Sequence, residues 1–191
     1  MPSSLTDDVR RSAAEAYGGV PNFLEAMSAH SGMPGAVYVA ADEALMDGLL
    51  TPAEQQAVLL AVSAHHNSRY DGVAHARLAL DAGLSPHVVD RLLAGELPRD
   101  ERLRSLVEAT RQTYDERGWL DDDTVEALKE RGISRGELYE IFALYGMKTF
   151  ACFTNHVAGP EIDAALQPTE ERLDNVPEEP STMEMRRLVL G

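Results

Sequence analysis

Cysteine occurs once in this 191-residue chain, as Cys152, which excludes an intramolecular disulfide and a Cys-x-x-Cys redox pair. Positive charge is also scarce: 17 Lys and Arg stand against 32 Asp and Glu, a formal net charge of −15. Such a surface repels phosphate backbones and anionic lipid, so neither nucleic acid nor a membrane surface is expected as a partner. No stretch approaches the ~20 consecutive apolar residues that a membrane-crossing helix needs. The opening residues, Met1-Pro-Ser-Ser-Leu-Thr-Asp-Asp, lack the apolar stretch of a secretory signal, and a cytoplasmic location is the expectation. A Gly-rich phosphate loop, His-Glu-x-x-His and Gly-x-Ser-x-Gly are all missing, and with them the support for those mechanisms.

What is present reads as helix. Ala is frequent, runs of β-branched residues are absent, and apolar residues recur at spacings of three and four, the signature of an all-α domain. Thr51-Pro-Ala-Glu54 combines a cap, a Pro at the first helical position and a Glu three residues on, which predicts a helix to about His66. Ser68-Arg-Tyr-Asp71 opens the next, stopped at Gly83; Ser85-Pro86 opens a short one that closes near Gly95. Glu101 to Arg117 and Asp121 to Arg131 follow, and Ser134-Arg-Gly-Glu137 starts the longest apolar helix, ending at Gly159-Pro160. Upstream, Tyr17-Gly-Gly-Val-Pro-Asn22 is a turn, and the helical stretch from Phe23 to Gly48 is expected to break at Gly32 to Gly35.

Leu50-Thr-Pro-Ala-Glu54 and Ile133-Ser-Arg-Gly-Glu137 share a cap, a Glu and a following apolar face at an offset of 83 residues, which reads as a duplicated helical hairpin. The helical domain is placed at residues 1–166. From Gln167 three Pro and six acids change the composition, and residues 167–191 are expected to form an acidic, extended C-terminal arm ending on Leu188-Val-Leu190.

Two helices carry candidate chemistry. Ser68, Asp71 and His75 fall on one stripe, where a carboxylate one turn from an imidazole can orient it as a general base. The alternative is a capping box of Ser68 and Asp71 beside a core histidine. On the last long helix Lys148, Cys152, Asn155 and His156 make one polar stripe among apolar residues. Either they face a cavity holding an anionic substrate, or Lys148 snorkels to the surface while Asn155 and His156 tie down the helix end. His65 and His66 are adjacent, point to different faces and do not suggest a metal site; His30 and His87 read as surface residues.

Tyr17-Gly-Gly-Val-Pro-Asn22, Leu50-Thr-Pro-Ala-Glu54, His66-Asn-Ser-Arg-Tyr-Asp-Gly-Val-Ala-His75, Gly83 and Asn155-His156-Val-Ala-Gly together resemble the carboxymuconolactone decarboxylase and AhpD-like alkylhydroperoxidase superfamily, over roughly residues 15–165. The resemblance implies an all-helical bundle assembled as a homo-oligomer, a trimer or a multiple of it. The peroxidase branch carries Cys-x-Tyr-Cys-x-x-x-His with an upstream Glu. Aligned through Tyr70 and His75, this chain has Ser68 and Asp71 in place of the cysteines and Gln56 in place of the Glu. A hydroxyl and a carboxylate cannot close a disulfide, so that chemistry is not expected. The decarboxylase branch has an acid four residues before the same His, as Asp71 is, though Glu is usual there.

The resemblance therefore implies a cofactor-independent acid–base enzyme acting on a small anionic or carbonyl-bearing molecule, with no metal. Asp71 and His75 would be catalytic, and Ser68, Tyr70, Lys148, Cys152, Asn155 and His156 would bind substrate. Asp71 and His75 are expected to hydrogen-bond to each other at the wall of a pocket. The alternatives are a catalytically silent oligomeric binding protein that kept the family pocket, and a one-cysteine peroxidase using Cys152.

Overall fold

A computed structural model describes residues 4–45 and 47–177, and every regular element among them is helical. In chain order these are α1 (Leu5–Tyr17), α2 (Asn22–Ser28), α3 (Gly32–Leu45), α4 (Pro52–His65), α5 (Arg69–Asp81), α6 (Pro86–Leu93), α7 (Glu101–Asp115), α8 (Asp122–Glu130), α9 (Arg135–Ala158) and α10 (Gln167–Glu170). None of these helices is long and apolar enough to cross a membrane.

α4 is the centre. Ala57 to Ser63 are buried one after another, which a helix tolerates only when partners cover all its sides, and α5, α6, α7 and α9 pack around it. Two apolar clusters meet along it. Val58 and Leu59 join Leu24, Leu106, Ile141 and Leu144 in one; Leu60 and Ala61 join Ala76, Val89, Leu92 and Val107 in the other. Each fully buried Leu or Ile contributes about 1.5–3 kcal/mol relative to leaving it in water.

The local signals at the helix ends are realised at α4 and α9. Thr51 and Ser134 each accept a hydrogen bond from the backbone of the Glu three residues on, and each Glu carboxylate accepts from the cap residue's backbone N–H. Arg102, from α7, joins the two starts. Its Nε donates to Glu54 Oε1 at 2.6 Å, its Nη1 to the Gly132 carbonyl at 2.7 Å, and its Nη2 to Glu137. The equivalent residues before the two caps, Leu50 and Ile133, are both buried.

Two local expectations need correction. The chain does not break at Gly32 to Gly35; the break falls at residues 29–31, and both glycines lie inside α3. A β-carbon on Gly32 would come within 2.6 Å of the Thr6 backbone nitrogen, so the glycines serve the close crossing of α3 over α1. At α5, Ser68 occupies the cap position but makes no side-chain cap; its hydroxyl donates to the Asp71 carboxylate instead.

Beyond residue 166 the chain makes the short α10 and then lies against α5 and α6. Arg69 pairs with Glu170, Leu173 packs on the second apolar cluster, and the Asp174 N–H donates to Asp90. A β-carbon on Gly72 would meet Leu93 Cδ2 and Pro177 Cδ, each at 3.2 Å, so its absence lets the tail settle on α5. Leu188-Val-Leu190 lies outside the described residues.

Candidate functional site

The polar stripes of α5 and α9 face each other across a buried contact. Asp71, 2% exposed, accepts from Lys148 Nζ on Oδ1 at 2.7 Å, and on Oδ2 from Ser68 Oγ at 2.7 Å and Asn155 Nδ2 at 2.8 Å. Lys148, 1% exposed, also reaches the Tyr38 hydroxyl at 3.3 Å and lies 5.2 Å from the centre of its ring. The snorkelling alternative is therefore excluded: the ammonium turns inward to a carboxylate. Cys152, one turn beyond Lys148 on α9, is fully buried beside Ser68 and Asp71.

The electrostatics follow from this pairing. Burial pushes the Asp71 carboxyl up, but the Lys148 ammonium and the bonds from Lys148 and Ser68 outweigh it and hold the group down at about 2. Burial likewise opposes the charge on Lys148, and Asp71 overcomes it, so the lysine titrates above its ordinary value. The Cys152 thiol is pushed up, first by burial and then by the Asp71 charge, and holds its proton. An amide set against a carboxylate must present its NH2, which turns the other end of Asn155 away. That atom, Oδ1, is buried and has no hydrogen-bond partner.

His75 does not bond to Asp71, contrary to expectation. Its Nδ1 lies 2.8 Å from Gln56 Oε1 of α4, and the ring is buried. Burial lowers its pKa well below the ordinary value, the Lys148 charge adds to that, and Asp71 opposes it; the imidazole is neutral at pH 7.

Two residues of the expected set stand apart. Tyr70 is buried, but its hydroxyl donates to Asp163. His156 is exposed at the end of α9. Three others belong to the neighbourhood without having been singled out as site residues. Tyr38 comes from α3, where no motif marks it. Gln56 was visible only as the residue standing where the resemblance to the peroxidase-branch pattern would place a Glu. His66 places Nε2 2.9 Å from Thr149 Oγ1, and burial with the nearby His65 and His156 lowers its pKa to about 4. No group of three or more His, Cys, Asp or Glu among the described residues is placed to hold a metal ion.

Two surface cavities lie elsewhere. One of about 500 Å³ is lined by Arg102, Arg104, Glu130 and Arg131 among others; one of about 230 Å³ lies against His65, Arg111 and Tyr114. Neither touches Asp71, His75 or Lys148.

No protein-family model matches the chain, and no curated protein matches its sequence. Solved structures do match. A peroxidase-related protein of Ralstonia eutropha JMP134, described as an alkylhydroperoxidase AhpD core, superposes with a TM-score of 0.73 at 23% identity, over 90% of this chain and 92% of that one. A peroxidase-related protein of Silicibacter sp. TM1040 gives 0.71 at 19% identity, over 84% and 86%. A variant of the debrominase Bmp8 in complex with 2,3,4-tribromopyrrole gives 0.64 at 17% identity, over 86% and 89%. The chain has the all-helical fold of the AhpD-like proteins.

Proposed function

We propose that the protein is a cofactor-independent acid–base enzyme of the carboxymuconolactone decarboxylase-like type, acting on a small anionic or carbonyl-bearing molecule. The observation that carries this reading is the buried Asp71–Lys148 pair with the unpartnered Asn155 Oδ1 beside it. A buried ion pair is not needed to fill a core, and the Asn155 amide oxygen beside it is an acceptor left open for a further donor. His75, uncharged and close enough to feel both charges, supplies the base. In the proposed step the bond from hydrogen to a carbon next to a carbonyl breaks and the proton goes to the imidazole. The electron pair moves onto the carbonyl oxygen, and Lys148 stabilises that oxygen. Where a C=C bond adjoins that carbon, the electron pair spreads to its far end, and returning the proton there isomerises the substrate. In a β-keto acid the bond to the carboxylate carbon breaks instead: CO2 leaves, the pair goes to the carbonyl oxygen, and a proton from solvent then replaces the CO2 on carbon.

Thiol peroxidase chemistry has little support. The one thiol is buried and holds its proton, whereas the thiolate is the reactive form, and this weighs against the one-cysteine alternative. That the debrominase Bmp8 shares this fold supports an enzymatic role in a general way. A second reading, a catalytically silent binding protein, is favoured by one specific observation: both oxygens of Asp71 are already satisfied and His75 is 5% exposed, so substrate must open the site to enter.

The test is turnover of a panel of β-keto acids and carboxylated γ-lactones, followed by NMR. Positioned acid–base groups supply ~10²- to 10⁴-fold, and His75→Ala is expected to lower turnover by about that factor with helical content kept. Turnover unchanged in His75→Ala removes the histidine from the mechanism. Binding of panel members without turnover selects the silent protein.

A further inference from the structure

The contact between α4 and α5 pairs an ionisable ring with a group that cannot ionise. Gln56 Oε1 and His75 Nδ1 are 2.8 Å apart, joining residues 19 apart in sequence, and Gln56 is half-buried in the row that continues into the fully buried Ala57 and Val58. A neutral imidazole carries its proton on one nitrogen and a lone pair on the other, and the hydrogen bond made by one nitrogen decides the role of the other. A carbonyl oxygen facing Nδ1 accepts a hydrogen bond from its N–H, which keeps the proton on Nδ1 and leaves Nε2 as the basic nitrogen.

We propose that Gln56 is a positioning residue: it fixes His75 as the Nδ1–H tautomer and, having no proton site of its own, confines proton exchange to Nε2. The proposal rests on the reading of His75 as the base and adds which nitrogen acts and what holds it there. A carboxylate at position 56 would favour the imidazolium and could take the Nδ1 proton onward. The amide does neither. The charged side chains that act on the ring are Lys148, whose ammonium disfavours protonation, and Asp71, whose carboxylate favours it but is bonded to Lys148. Oppositely charged and 2.7 Å apart, they partly cancel at the ring, and the neutral amide is the group that touches it.

The experiment needs no substrate, so its outcome is independent of whether turnover is found. Long-range proton–nitrogen NMR spectra of the full chain, labelled with nitrogen-15 in histidine, report which ring nitrogen carries a proton; the His75 signals are those lost in His75→Asn. The expected pattern in neutral buffer is one tautomer, protonated at Nδ1 and bare at Nε2. Gln56→Leu is expected to give a mixture of tautomers, and Gln56→Glu, nearly the same shape, to protonate both nitrogens at neutral pH. Should Gln56→Leu fail to fold, Gln56→Glu carries the test alone. A ring protonated at Nε2 in the natural chain overturns the proposal. So does a tautomer pattern unchanged in folded Gln56→Leu, or a ring in Gln56→Glu that stays neutral with the tautomer of the natural chain.

Discussion

Lys148 is among the largest fully buried side chains of the protein, and a lone ammonium at 1% exposure would lose its charge rather than its water. It keeps the charge because Asp71 lies at 2.7 Å and Tyr38 offers both its hydroxyl and its ring. Breaking such a pair leaves the other ion buried without a partner, which costs about 3–5 kcal/mol, whereas removing both ions can be nearly neutral. Lys148→Met and Asp71→Asn are each expected to destabilise by about that amount, and the double variant by clearly less than the sum, read from urea midpoints. The pH dependence has a defined sign. Asp71 titrates at about 2 in the fold against an ordinary 3.8, so its stabilisation is complete above the ordinary value and fades as pH falls from there toward 2. Lys148 titrates above its ordinary 10.5, so its contribution is complete below that and fades as pH rises beyond it. Denaturation midpoints should therefore lose this component at the acid end in the natural chain and not in the double variant. Asp71, Lys148 and Asn155 were all legible as polar residues on helical stripes, because spacing within a helix is a local property. Their choice of partners was not, since spacing on α5 says nothing about what α4 and α9 present to it. His75 was accordingly assigned to Asp71, when its nearest acceptor came from another helix.

The same division between local and non-local information holds for whole elements. The starts of α4 and α9 were legible to the residue, because a capping box is written in four consecutive positions. Ser68-Arg-Tyr-Asp71 carries a similar signature, yet its serine answers to a buried carboxylate, which itself binds groups from α9. The glycines of α3 looked like punctuation and instead permit a close helix crossing, a role visible only with α1 in place. Arg102 is the clearest case of what sequence could not disclose: nothing on α7 marks it as the link between two caps far apart in the chain. Its bonds are charge-assisted, its side chain is one-third exposed, and the two carboxylates it holds are less exposed than it is. Arg102→Met should lower stability by about 1–3 kcal/mol, since it leaves two partly buried acids facing each other. Calorimetry would check this, and an unchanged melting temperature would show that the two caps hold without it.

At the scale of the molecule, α4 belongs to both apolar clusters, and the C-terminal segment through Pro177 lies on α5 where that helix carries Asp71 and His75. The acidic excess of the sequence is handled in part by spending one cation on two acids, as Arg102 does with Glu54 and Glu137. This sharing has a consequence for how the fold opens. The amides of Thr51 and Ser134 donate to the carboxylates that Arg102 holds, so neither helix start can fray fully without slackening the guanidinium's grip on the other. Local opening in proteins occurs in cooperative units, and these two starts, remote in sequence, should form one. In native-state hydrogen exchange the two amides are expected to share an opening free energy in the natural chain and to separate into independent values in Arg102→Met. The fold would then breathe at one end of α4 and α9 together, as a hinge with a single pin.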